Sequence, residues 1–355
     1  MKTIIKIISW FPAGFIVSVF PERGGRAGLV FFFCSAVFGY KMEILRVRRK
    51  KMIKKKSKDP VVPVTGLALK RRRGQSIGYF FILPAISLLL LFTYYPFIRA
   101  IVLSFALTNK RGNFSKWVGF ANWLRVLKKA EFWKVVVITL KMAAVNLTFT
   151  FSIAMIFGLM ATKKVKFSKF YQTLYALPMA IATSPAAAIF LFIYSRHNGV
   201  LNNVLGTDIA WLLNQKTALW SVCAMTIWQH VGSCFIFLLV GFRNVPDELL
   251  ESAYLDGAGP LRRIKDVIIP LASPQIFFVL FMSINSSFKT FNQIKLLTGG
   301  GPANSTKNLI YYIYENAIIH GRFETACVQA LFLFVMIFIL TRIQFLCEKR
   351  FVHYQ

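Results

Sequence analysis

Residues 243–274 read RNVPDELLESAYLDGAGPLRRIKDVIIPLASP, and they hold five of the chain's 13 acidic residues: Asp247, Glu248, Glu251, Asp256 and Asp266. The stretch carries clear helix punctuation. Asn244 suits an N-cap and Pro246 a first turn, and the acids that follow sit at the positive end of a helix dipole. Leu249, Leu250, Ala253 and Tyr254 fall on one side at helical spacing. Gly257 supplies a C-terminal stop, Gly259 loosens the turn, and Pro260 opens a second short helix bearing Arg262, Arg263 and Lys265. Pro270 and Pro274 then lead into an apolar run. A connection of about 30 residues between two helices is far longer than the usual few, and ordered long loops carry function. Two capped helices around a small-residue turn form a compact knob that faces something outside the chain.

The flanks of the knob set the fold class. The chain has 355 residues, 56% of them hydrophobic with 36 Phe, and 44 Lys+Arg against 13 Asp+Glu give a net charge of +31. A soluble nucleic-acid binder is not this apolar, and disorder is excluded by the same content. Five cysteines, an odd number with no C-x-x-C spacing, argue against a disulfide scaffold, and four scattered histidines form no metal cluster. Strong hydrophobicity with strong basicity indicates a polytopic membrane protein. A bilayer core needs about 20 apolar residues per helix. Six stretches meet that need: 78–103, 135–160, 174–194, 219–240, 274–293 and 327–346. Pro84 and Pro96 in the first, and Pro178 and Pro185 in the third, predict kinks inside a bundle.

Basic residues orient the spans. Residues 41–73 carry 14 Lys+Arg, 163–169 carry 4, 243–265 carry 4 and the tail from Arg342 carries 3; the opposite loops carry 7, 2 and 4. This bias places both termini in the cytoplasm, although the first outer loop (110–134) is itself basic. Residues 1–76 read as an N-terminal extension with a basic cytoplasmic leader, 77–348 as the transmembrane domain with the knob at 244–274, and 349–355 as a short tail. Within 1–41, two apolar runs admit an extra hydrophobic hairpin, a signal sequence, or an upstream stretch read from a misplaced start ahead of Met42 or Met52. The misplaced start is favoured, because nothing that follows needs those residues.

The knob sequence resembles the EAA loop of ABC-importer permeases, a pattern of roughly E-A-A-x-x-D-G-A, a spacer, then I-x-L-P. Here it stands as Glu251-Ser252-Ala253, then Asp256-Gly257-Ala258, then Val267, Ile269 and Pro270, with Ser252 in place of the usual Ala. WVGFANWLRVLKKAEFWKVVVITL and LTGGGPANSTKNLIYYIYENAI likewise resemble the entry to span two and an outer loop of carbohydrate permeases. The resemblance runs from about residue 78 to the C-terminus. It implies an all-α, six-helix type I ABC importer transmembrane domain with an N-terminal extension, in the maltose-permease-like and glycerol-phosphate-permease-like group of the bacterial inner membrane. It also implies partners: a second permease in a heterodimer, two ATPase subunits that bind ATP and Mg, and an extracytoplasmic sugar-binding protein. By the same resemblance Glu251, Ala253, Asp256, Gly257, Ala258 and Pro270 form or shape the ATPase contact. No cofactor and no catalytic residue is expected in this chain, which has no phosphate-binding G-x-x-x-x-G-K-[ST] loop.

Polar residues inside spans are expensive in lipid and mark a candidate substrate path: Asn146, Trp228, Gln229, His230, Asn285, Ser287, Phe288, Phe291, Asn292 and Gln293. Amides beside aromatic rings suit sugars, whose hydroxyls and C–H faces they match. The plainer alternative is hydrogen bonding between helices. Lys289 and Lys295 are unusual near the end of span five; they suit either an anionic substrate or, the favoured reading, snorkelling to the interface. A membrane-embedded enzyme is disfavoured because the six stretches contain no Asp or Glu. A secondary carrier or channel is disfavoured by the same absence. The membrane surface, rather than nucleic acid, accounts for the basic leader.

Overall fold

The computed structural model describes residues 17–21, 27–31, 82–109, 112–162 and 168–351. The basic leader at 41–73 lies outside the described residues, as do residues 163–167 of the second basic cluster. Two compact units are present, residues 1–99 and 100–355. In the first, strands β1 (Val17–Pro21) and β2 (Ala27–Phe31) pair antiparallel, with Val19 opposite Leu29. Helix α1 (Ile82–Ser104) begins there. Its segment Leu90–Tyr94 is a π-helical turn in which the Tyr95 N–H bonds to the Leu90 carbonyl. The widened turn precedes Pro96 and absorbs its missing N–H, so α1 continues rather than breaking.

In the second unit, β3 (Ala106–Thr108) and β4 (Phe114–Trp117) form a bulged antiparallel pair, followed by α2 (Ala121–Leu127) and the 33-residue α3 (Ala130–Thr162). Then come α4 (Ser168–Ala180), α5 (Thr183–Ile193), α6 (Val200–Leu205) and α7 (Ala218–Arg243). The knob is α8 (Asp247–Leu255) and α9 (Pro260–Leu271). The chain continues through α10 (Ser273–Ser287), α11 (Asn292–Leu297), α12 (Leu309–Tyr314) and α13 (Phe323–Phe351).

Helices α1, α3, α7 and α13 are each long and apolar enough to cross a membrane, and the number rises to six if each of two sharply bent helix pairs is counted as one span. The pairs depart from the sequence expectation. Span three is not kinked but broken: α4 and α5 meet at 99°, and Ala182 between them is extended at φ −63°, ψ 153°. Pro178 lies inside α4, while Pro185 sits in the first turn of α5, where a missing N–H has no helical partner to lose. Span five is shorter than expected. Hydroxyls of Ser286 and Ser287 both donate to the Ser283 carbonyl, α10 ends at Ser287, and Asn292 and Gln293 open a separate helix. Helix α9 meets α10 at 74°.

Helix α3 is the spine of the bundle and contributes to all three apolar clusters. Ala154 and Ala161 join Phe235, Leu238 and Phe242 of α7 with Ile268, Ala272 and Val279. Phe132 and Val135 meet Leu309, Tyr312 and Val328. Met142 packs with Ala186, Val222, Met225 and Ile294. Lipid is as apolar as these side chains, so close van der Waals packing rather than water exclusion holds such helices together. Small residues supply the close approaches. Gly158 faces the Phe242 ring, and Gly232 faces the backbone at Ala176 and Met179.

Candidate functional site

The knob is built by its own punctuation. Asn244, expected as an N-cap, instead closes α7 as its C-cap, and Pro246 occupies the N-cap of α8 at φ −59°, ψ 133°. The correction has a simple cause. The residue before a proline avoids the α region, so the new helix starts at the proline itself and not two residues earlier. Asp247 and Glu248 then fall in the first turn, as the dipole favours. The C-terminus is a Schellman motif. The Gly257 N–H bonds to the Tyr254 carbonyl at 3.0 Å, and the Ala258 N–H to the Ala253 carbonyl at 2.9 Å. Gly257 sits at φ +79°, a conformation that glycine adopts without penalty. Gly259 caps α9 and Pro260 stands at its start, as the sequence pattern predicts.

The four residues expected on one face of α8 divide. Leu250 packs against the Phe235–Leu238 cluster and Ala253 is half-buried, but Leu249 is 44% and Tyr254 65% exposed. Beyond them Leu255 and Leu261 are 83% and 81% exposed. Among the proposed coupling residues, Glu251, Asp256 and Gly257 are exposed, Ala253 and Ala258 are half-buried, and Pro270 lies half-buried near the α9–α10 bend. The knob thus offers two carboxylates around four uncovered apolar side chains. Arg263 stacks on Tyr254, its guanidinium carbon 5.2 Å from the ring centroid, which ties α9 to α8.

The polar path candidates separate into groups. Gln229 and Gln293 meet directly: the Gln293 amide donates to Gln229 Oε1 at 3.0 Å. The Gln229 amide in turn donates to the Ile181 carbonyl at 3.3 Å and Thr183 Oγ1 at 3.1 Å. Both bonds fall at the break between α4 and α5, so this pair joins α7 and α11 to the freed end of a broken span. Trp228 and Phe291 pack around the Met142–Val222 cluster, Trp228 against Phe190 at 5.4 Å. The amide of Asn285 donates to the Phe281 carbonyl and the Ser287 hydroxyl to Ser283, both within α10. Phe288 lies in a different cluster, with Phe132 and Leu309. His230 is half-buried, Asn292 is exposed, and Asn146 is 2% exposed with neither side-chain amide atom partnered within the described chain. Phe291 also borders an aromatic group that the sequence reading did not single out. Lys295 Nζ lies 4.8 Å from the Tyr314 centroid and 5.7 Å from that of Phe291.

The GGGPANST loop is braced rather than open. Gly299 and Gly300 adopt φ +58° and +85°, a left-handed turn that glycine allows, and Thr298 and Thr306 hydroxyls meet at 2.8 Å. Asn308 caps α12 and donates to the Thr290 carbonyl, while the Leu309 N–H reaches Thr139 of α3 at 2.8 Å. Buried Lys307 pairs with Glu315 at 2.6 Å and lies 3.8 Å from Glu131, whose other oxygen accepts from Tyr312. Burial, then the Glu131 carboxylate, push the Tyr312 phenol up from its ordinary range. Removing one member of a buried pair leaves the other uncompensated, so Lys307→Ala is expected to destabilise by about 3 kcal/mol. A thermal melt of the purified permease checks this. The midpoint falls for Lys307→Ala, and the double variant with Glu315→Ala regains most of the loss.

With this geometry in place, comparison with known proteins gives a consistent result. Residues 151–353 match the model of the binding-protein-dependent transport system inner membrane component family. The chain is 30% identical over 282 residues to the sn-glycerol-3-phosphate transport system permease protein UgpA of Agrobacterium fabrum, covering 78% of this chain and 96% of that one. It is 29% identical over 287 residues to the protein of the same name from Yersinia pestis, covering 79% and 96%. Its fold is similar to a chain in the crystal structure of a bacterial ABC transporter involved in the import of the acidic polysaccharide alginate. That match has a TM-score of 0.72 at 23% identity and covers 81% of this chain and 99% of that chain. The long apolar helices and the family match agree: the chain belongs to the binding-protein-dependent transport system inner membrane components, as a multi-pass permease subunit and not an enzyme.

Proposed function

We propose that this permease passes a carbohydrate or a related polyol, such as a glycerol phosphate, into the cytoplasm in an ATP-driven cycle, with 244–274 as the coupling element. The observation that carries this reading is the knob. A Schellman-locked helix leaves Leu249, Tyr254, Leu255 and Leu261 uncovered beside Glu251 and Asp256, a surface suited to a groove on a partner. ATP and Mg are bound by a pair of separate ATPase subunits, and closure of that pair displaces the knob and with it α10. A second permease completes the pathway, and an extracytoplasmic binding protein delivers the substrate, alternating access following from rigid-body movement of the two halves. Both termini face the cytoplasm, the side of the basic leader. Similarity to sn-glycerol-3-phosphate permeases favours a polyol phosphate or related sugar cargo. The exposed Asn292 beside Phe291, and buried Asn146, are the path residues whose amides are not spent on the helix contacts described above.

Replacement of both Leu255 and Leu261 by Asp tests the coupling assignment. Both side chains are exposed, so insertion and folding are retained. Burying two carboxylates in place of two leucines costs several kcal/mol at the interface, so the ATPase subunit should no longer co-purify and uptake should fall with it. Normal co-purification together with normal uptake would remove the knob from the coupling role.

A further inference from the structure

The basic loop between the first two long helices, which blurs the orientation signal, forms a defined platform. Strands β3 and β4 and helix α2 are held to the ends of three membrane helices. The Asn122 amide donates to the carbonyls of Ser104, the last residue of α1, at 3.2 Å and of Ala106 at 2.8 Å. Thr108 donates to the carboxylate of Glu324, and Gly112 abuts the Phe323 ring, both in the first turn of α13. The Trp133 indole N–H, in the first turn of α3, donates to the Leu127 carbonyl at 2.8 Å and closes the third side. Inside the platform Phe105 packs on Phe120 and Trp123, with centroids 5.2 and 6.2 Å away. Three helix ends therefore hold it at one end of the helical bundle.

Its outward surface has two kinds of side chain. Phe114, Trp117, Phe120, Leu124 and Trp133 are exposed, and Phe120 most of all at 70%. Lys116, Arg125, Lys128 and Lys134 are exposed among them. From Phe105 to Ala130 the sequence has no Asp or Glu. The acids that flank the platform are already engaged: Glu131 with Tyr312 and Lys307, and Glu324 with Thr108. Among the described residues no ion pair neutralises Lys116, Arg125 or Lys128. Aromatic rings with basic neighbours at a span end match the interfacial zone, where rings sit at headgroup level and ammonium or guanidinium groups meet phosphates.

We propose that this platform is a binding site for anionic phospholipid headgroups. Phe114, Trp117, Phe120 and Leu124 seat in the interfacial layer, and Lys116, Arg125 and Lys128 hold the phosphate. An acidic protein surface would satisfy the charge, but attachment to three span ends places the rings beside lipid rather than out in solution. The site depends neither on which cargo the permease carries nor on which way its termini face. A basic cluster that would oppose orientation by charge thereby gains a separate use as a lipid anchor.

The test uses the full-length chain in nanodiscs of phosphatidylcholine alone and of phosphatidylcholine with about a third phosphatidylglycerol, an anionic surface of the kind basic clusters recognise. Native mass spectrometry counts the lipids retained, and hydrogen exchange follows residues 114–128. Wild type should retain phosphatidylglycerol preferentially and show slower exchange across 114–128 in the anionic discs. The triple variant Lys116→Gln, Arg125→Gln, Lys128→Gln should lose at least about tenfold in that preference, each surface charge being worth about fivefold. The basic leader is present in both proteins, so the difference reports the platform alone. The charge-preserving Lys116→Arg should bind as wild type does, which separates lost charge from lost fold. Equal retention of the two lipids, an unchanged preference in the triple variant, or protection of 114–128 that appears only when a soluble acidic partner protein is added would overturn the proposal.

Discussion

Replacing Gly257 by Val should reduce ATP-driven uptake at least about tenfold while the protein still inserts at normal levels, because about 2 kcal/mol of local strain is a factor of about 30 in population. Gly257 holds φ +79°, and a Cβ built there would have nothing within 4 Å. Space is therefore no obstacle, and the penalty is purely a backbone one. A β-branched residue in the left-handed region costs about 1–2 kcal/mol. In the bundle core such a sum would be absorbed. The knob has less to hold it: Leu250 and half-buried Ala253 are its inward contacts on α8, and the Arg263–Tyr254 stack is exposed on one side. Strain at the stop therefore shifts the knob between conformations, and the bonds from Gly257 to Tyr254 and from Ala258 to Ala253 are the first to open. Asn tolerates the left-handed region. Gly257→Asn should accordingly keep most of the uptake. Uptake by the assembled transporter, normalised to inserted permease, reads both variants. If Val and Asn behave alike, the backbone argument fails, and if Val transports normally the knob is not the coupling element.

The four continuous spans are legible in the sequence because a bilayer imposes a length. About 20 apolar residues must satisfy their own backbone, and a running average detects them. The same average is blind to direction. Nothing in IATSPAAA marks Ala182 as the point where the third span turns by 99°, since Ala favours helices and the two prolines on either side would equally produce a kink. The early end of α10 was hidden for a related reason. Ser286, Ser287 and Thr290 are polar enough to turn their hydroxyls back on the helix, yet the phenylalanines around them keep the run apolar.

The knob was legible in its punctuation and less so in its faces. Glycine and proline act locally, so Gly257, Gly259 and Pro260 could be read one at a time. Spacing shows that α8 has an apolar stripe but not what covers it, and half of that stripe is uncovered. The polar path shows the limit most clearly. Gln229 and Gln293 stand out as amides within apolar sequence, but their mutual bond links residues 64 apart and depends on a break no motif announces. Lys307 and Glu315 give even less warning. Their separation of eight residues spans a helix cap at Asn308, and only the folded loop brings Nζ within 2.6 Å of the carboxylate.

A single methyl group at Gly241 should be among the most damaging changes in the membrane region. An added Cβ would stand 2.6 Å from both Cβ and Cγ of Gln275, where α7 passes the first turn of α10. The contact is with the root of a side chain rather than its flexible end, so one helix must move. Overpacking of this kind costs about 1–3 kcal/mol, and membrane helices that rely on close packing have no water exclusion to offset it. The position compounds the effect, because Gly241 lies six residues before α8 on the helix that carries the knob. Gly241→Ala should lower the thermal midpoint of the purified permease and reduce uptake more than in proportion to the folded fraction. The pattern of rescue distinguishes the cause. Gln275→Ala removes only the Cγ clash and should restore little, whereas Gln275→Gly removes both and should restore most of the midpoint. Full rescue by Gln275→Ala would place the strain in the flexible part of the side chain, and no rescue by Gln275→Gly would show that the α7–α10 approach is not what Gly241 preserves.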